Sequence, residues 1–232
     1  MEWLSAAEVE ALLLSLKVAL AASLIGLPIA TALAYLLARK SFAGRILVDL
    51  LVHAPLVLPP VVIGYFLLLL FSPSGAIGGF LADSFGLTLI FSWYGAALAS
   101  LIMALPLMVR AIRLSFEAQD LRLEGAASTL GAGRLKILLT ITLPLALPGI
   151  LVGTLLGFAR ALGEFGATIT CVSNIPGLTR TLPLALYSAI QTPDGDVIAL
   201  RLMLISLALA FGALLLSEWS TRRLIGRKGR AP

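Results

Sequence analysis

Polar positions in this chain are gathered into a few narrow bands, with long apolar runs between them. A helix needs about 20 mostly apolar residues to cross the hydrocarbon core of a bilayer. Runs of that length lie near residues 8–38, 45–71, 87–112, 137–162 and 197–220. Past Glu8 and Glu10, Lys17 is the only charge inside the first run, which is longer than a span requires and so should tilt or protrude. No residue from Leu50 to Ala82 carries a formal charge. Residues 165–192 are apolar too, but Asn174, Pro176, Gly177, Arg180 and Pro183 interrupt them. They predict an outward excursion with a short helix near 182–191 rather than a sixth span. The pattern predicts an all-α integral membrane protein, with one domain over residues 1–225, about five transmembrane helices and a loose basic tail at 226–232.

Composition supports this class. Hydrophobic residues make up 59% of the chain and charged residues 12%, with a mean hydropathy of +1.04. A soluble domain carries roughly 25% charged residues. One cysteine, Cys171, excludes an internal disulfide, and one histidine, His53, leaves little room for histidine catalysis or a metal cluster. The net charge of +5 is topological rather than a sign of nucleic-acid binding. Arg39, Lys40 and Arg45, then Arg110, Arg113, Arg122, Arg134 and Lys136, then Arg222, Arg223, Arg227, Lys228 and Arg230 all fall on one side of a five-span chain. Glu2, Glu8, Asp83, Asp194 and Asp196 fall on the other, with Arg180 as the basic exception. The positive-inside rule then predicts an external N-terminus and a cytoplasmic C-terminus. No early Lys or Arg and no small-residue cleavage site suggest a removed signal peptide.

Pro55, Pro59 and Pro60 fall in the second run, Pro106 in the third, and Pro144 and Pro148 in the fourth. Each removes a backbone donor. The freed carbonyls need partners in lipid, so these helices are either kinked structural members or line a pathway. Arg160 and Glu164, four residues apart, fit either a structural ion pair or an outer gate. Gly163, Phe165, Gly166, Asn174 and Arg180 belong with them as gate or pathway candidates. Asp49 and His53 form a second pair at the same spacing. Lys17 and Arg201 can snorkel to an interface, where Trp3, Trp93, Tyr94 and Trp219 also fit.

The polar band over residues 113–136 is long for a structureless loop. It predicts a short cytoplasmic helix near 124–133, on which Glu124, Ala127, Ser128 and Gly131 share one small-residue face. An amphipathic loop lying on the membrane would explain the composition, but the spacing points to a docking element. Ala126-Ala127, Gly131 and Ile141-Thr142-Leu143-Pro144 resemble the signature loop of permease subunits of binding-protein-dependent ABC importers. That family has Glu six residues before the glycine; here Gly125 holds that position and Glu124 precedes it. The run from Ala159 to Ala167 is similar to oxyanion permeases. The stretch from Val172 to Pro183, with Tyr187 and Gln191-Thr192-Pro193, resembles the molybdate branch.

The resemblance implies a type I ABC importer permease in a bacterial inner membrane. It implies a homodimer, two cytoplasmic ATPase subunits and a periplasmic or extracellular oxyanion-binding protein. Glu124, Gly125, Ala126, Ala127, Gly131, Ile141, Leu143 and Pro144 would couple the permease to the ATPase. ATP and Mg would bind that partner, with no cofactor in this chain, which contains no G-x-x-x-x-G-K-[ST] phosphate loop. Tungstate and sulfate are alternative cargoes. An ion-coupled secondary transporter would need an embedded acid or histidine relay, for which Asp49 and His53 are the candidates.

Overall fold

A computed structural model of the chain describes residues 4–228, all helices and connections. The first helix, α1 (Ala6–Arg39), opens with a reciprocal cap. The Ser5 hydroxyl accepts from the Glu8 amide, and the Ser5 amide donates to Glu8 Oε2 at 2.6 Å. At 34 residues it is about 51 Å long, which exceeds the hydrocarbon core and agrees with a tilted or protruding span.

The run expected as one span over 45–71 is instead two helices. These are α2 (Arg45–Val57) and α3 (Pro60–Phe71), whose axes turn by 115°. Pro59 and Pro60 cause the break: neither has an N–H to donate, and both exclude a preceding helical turn. At 12 or 13 residues, each half is about 20 Å long and cannot cross alone. The halves nonetheless occupy opposite ends of the molecule, since α2 packs on the basic end of α5 while α3 packs on α9. A short helix, α4 (Ala76–Phe85), follows where the sequence suggested only a connection.

The third span begins six residues later than hydropathy indicated. In α5 (Trp93–Glu117) the Ser92 side chain accepts from the Gly95 amide and starts the helix; Leu87, Leu89 and Ile90 are apolar but lie outside it. After α6 (Leu121–Thr129) come α7 (Arg134–Ile137), a π-helical turn (Leu138–Thr142) and α8 (Leu143–Leu162). In the widened turn the Leu143 amide donates to the Leu138 carbonyl, five residues back. Pro144 accounts for its position, because its ring leaves no room for an ordinary turn and it has no N–H to give. The excursion holds α9 (Gly166–Val172), which was not foreseen, and α10 (Leu182–Ile190), which was. The last helix, α11 (Asp196–Lys228), continues through the start of the expected loose tail; residues 229–232 lie outside the described residues, as do Glu2 and Trp3. Among the described residues, four helical stretches are long and apolar enough to cross a bilayer, and the bent α2–α3 pair makes a fifth if it counts as one span.

The core is the contact of α1, α5 and α8. Leu37, Met108, Ile112 and Phe116 are fully buried in it, with the Tyr35 ring edge-on to Phe116 at 5.6 Å. Lipid is as apolar as leucine, so spans gain by close van der Waals packing, which small residues permit. On α8, Gly149, Gly153 and Gly157 form a ridge at four-residue spacing against α5. A Cβ on Gly153 would lie 2.8 Å from Ile112 Cγ1 and 3.0 Å from the Met108 carbonyl oxygen. Ala19, Ala22, Ala30 and Ala34 serve the same purpose on α1.

Candidate functional site

The helix α6 stands apart from this core. It has no buried residue; its first residue, Leu121, is 62% exposed, and Leu130, just after it, is 87% exposed. Asp120 starts it by accepting from the Arg122 amide at 2.9 Å. Gly131 ends it, with φ at +82°. The Gly131 amide donates to the Ser128 carbonyl and the Ala132 amide to the Ala127 carbonyl, which closes a left-handed C-terminal cap. Cβ atoms on Gly125, Gly131 or Gly133 would meet nothing within 4 Å. The helix starts and ends earlier than the expected 124–133 and leaves both Gly131 and Gly133 beyond its end.

The small face is also turned differently from the expectation. Glu124 and Ala127 are half-buried against the rest of the chain, while Gly125, Ala126 and Ser128 are exposed. The open surface thus joins Gly125, Ala126 and Ser128 to the exposed Leu121, Leu123 and Leu130, with Leu135 exposed on α7 and Arg122, Arg134 and Lys136 as charged neighbours. The leucines were the readable signal that a focus on small residues passed over, for exposed apolar groups in a charged loop mark a contact surface. Ile141, Leu143 and Pro144 do not lie on α6; they form and follow the π-helical turn, and Pro144 is the exposed one of the three.

A second charged group lines a cavity of about 240 Å³ at the same end. Arg113 donates to Asp49 Oδ1 at 3.1 Å and to Glu117 Oε1 at 2.7 Å, and His53 Nδ1 lies 3.2 Å from Asp49. The Asp49–His53 pair is thus one part of a surface ion network joining α2 to α5.

At the opposite end, Glu164 is 2% exposed and both its oxygens are engaged. One meets Arg160 Nη1 at 2.7 Å, and the other accepts from the Ala167 amide at 2.8 Å, which caps the start of α9. This geometry makes Glu164 a structural anchor of the excursion. Phe165 packs on Tyr187 with the rings tilted by 53° and their centres 5.0 Å apart. A Cβ on Gly166 would lie 2.8 Å from Pro60 Cβ, so α9 is held against α3. Gly163 borders an apolar cavity of about 330 Å³ between α8, α10 and α11. Arg180 Nε donates to Asn174 Oδ1 at 2.9 Å, and Asn174 Nδ2 donates to Ser188 Oγ at 2.7 Å, so these residues fold the excursion onto α10. Lys17 and Arg201, expected near an interface, both have partners on other elements of the chain. Arg201 Nε donates to the buried Glu8 at 2.9 Å, and the Lys17 ammonium lies 3.8 Å above the Trp93 ring.

A bundle of apolar helices with a protruding small-residue helix between its later spans agrees with the comparisons with known proteins. The family described as the inner membrane component of binding-protein-dependent transport systems matches residues 26–226, and the chain belongs to that family. It is therefore a multi-pass inner-membrane protein. The chain is 58% identical over 223 residues to the molybdenum transport system permease protein ModB of Escherichia coli strain K12, covering 96% of this chain and 97% of that one. It is 54% identical, with the same coverage, to the protein of that name from Haemophilus influenzae. Among solved structures it matches a bacterial ABC transporter that imports alginate, with a TM-score of 0.76 at 19% identity over 95% of this chain and 81% of that one. At that identity the likeness is one of fold, that of type I ABC importer permeases.

Proposed function

We propose that this chain is the membrane subunit of an ATP-driven importer that carries molybdate into the cytoplasm. The observation that carries the reading is near-full-length identity of 58% to a molybdenum permease. The N-terminus lies outside and the basic end faces the cytoplasm, as the positive-inside pattern supports. Two copies form the pathway, and two ATPase subunits, which bind ATP and Mg, dock on the basic end. A binding protein delivers the anion from outside. The exposed surface of α6 is the part of the chain best suited to receive an ATPase, because it is open, apolar at its centre and charged around its rim.

The mechanism follows from differential contact. ATP closes the ATPase pair, the two α6 helices move with it, and the spans pass between inward-open and outward-open arrangements. The spans offer the dianion no strong trap. Arg160 and Arg201 are paired with carboxylates and Lys17 with an aromatic face, which favours release over retention. Selectivity then rests chiefly on the binding protein. Uptake by a strain lacking its own molybdate permease, complemented with this chain and its partners, tests the reading. Molybdate accumulates, excess tungstate competes, and excess sulfate competes weakly. Sulfate uptake that molybdate fails to suppress assigns the chain to sulfate; uptake driven by an ion gradient without ATP refutes the ABC mechanism.

A further inference from the structure

Glu124 faces away from the open surface of α6 and into a ring of hydrogen bonds that joins four segments of the chain. Arg39, the last residue of α1, has a side chain only 9% exposed, and its Nη2 lies 3.2 Å from Glu124 Oε1. The same nitrogen donates to Gln119 Oε1 at 2.7 Å, in the connection between α5 and α6. Gln119 Nε2 donates to the Thr142 carbonyl at 3.0 Å, in the π-helical turn. Thr142, 2% exposed, closes the ring by donating from its hydroxyl to Glu124 Oε1 at 3.0 Å. The widened turn before Pro144 thus carries both Thr142 contacts.

From this we infer that Glu124 is a positioning residue that locks α6 to α1 and to the start of α8, so that movement of α6 is passed to both spans together. The inference rests on the importer reading and assigns the coupling step to particular atoms. No other ion pair among those described joins α6 to a span. Losing the carboxylate leaves the Arg39 guanidinium, nearly buried and already carrying an unpartnered Nε, with Gln119 as its one described acceptor. The α6 helix would keep its docking surface and lose its grip on the spans. Glutamine keeps an oxygen for Arg39 and Thr142 to donate to, so it preserves the ring without the charge.

The test uses the purified complex of this chain with its ATPase in vesicles supplied with external binding protein and with ATP on the ATPase side, and molybdate imported per ATP hydrolysed is the readout. Glu124→Ala is expected to lower that ratio about tenfold, the loss expected for a hydrogen-bonded charge, while the ATPase still co-purifies and still hydrolyses ATP. Glu124→Gln is expected to restore the ratio to within about threefold of wild type. Should Glu124→Ala fail to accumulate, Thr142→Val keeps every charge and is expected to lower the ratio about threefold. An unchanged ratio in both Glu124→Ala and Thr142→Val overturns the inference. So does loss of the ATPase from the Glu124→Ala complex, which would place Glu124 in the docking surface. A wild-type complex that hydrolyses ATP but moves no oxyanion overturns the importer reading itself, whatever the variants do.

Discussion

Replacing Gly131 with Glu is expected to reduce uptake to background while the chain still inserts and accumulates. Gly131 adopts φ +82°, where an L-residue costs about 1–2 kcal/mol. That cost falls on an exposed turn with nothing within 4 Å of a new Cβ, so the bundle itself has no reason to fail. The damage is expected instead from the left-handed cap, which sets where α6 stops, and from an anionic group placed beside the surface proposed to meet the ATPase. Gly131→Asn separates the two effects, since asparagine tolerates the left-handed region, and it should retain most uptake. Membrane content by immunoblot, ATPase co-purification and uptake are the measurements. Normal uptake by Gly131→Glu would contradict docking at this helix.

The second large effect is expected at the centre of the bundle. Gly153→Leu forces a branched side chain against Ile112 and the Met108 backbone, where even a methyl group does not fit. Overpacking of this kind costs about 1–3 kcal/mol when neighbours can yield, and a backbone carbonyl yields less than a side chain. The variant should fail to accumulate or lose its α5–α8 contact. Gly212→Leu is the matched control. It makes the same substitution in another span, at a position where a Cβ meets nothing within 4 Å, and it should accumulate normally. Thermal stability in detergent separates them, with a lowered unfolding temperature for Gly153→Leu alone.

The helical class was legible because hydropathy acts over whole segments. A short exposed helix in this polar loop was legible because the band is too long for a structureless connection and Gly131 can end a helix. What remained hidden was direction and continuity. Hydropathy cannot distinguish Leu87 from Trp93 as a helix start, because the deciding contact is a Ser92 hydrogen bond. It runs unbroken through Pro59 and Pro60, where the backbone turns by 115°. Helical spacing placed Glu124 and Ala127 on one face correctly, but only the position of Arg39, far away in sequence, shows that this face turns inward. The four-residue period of Gly149, Gly153 and Gly157 was a signal of close helix contact that the sequence reading passed over. The Arg160–Glu164 spacing was compatible with two roles, and the Ala167 amide favours the structural one.

The most direct measurement of the central claim is molybdate accumulation in sealed vesicles holding this chain alone, or this chain with its ATPase, with external binding protein and ATP on the ATPase side. The account predicts no ATP hydrolysis and no accumulation with the chain alone, and ATP-dependent accumulation once the ATPase is present and binding protein is supplied. Hydrolysis or uphill transport by the isolated chain would contradict it.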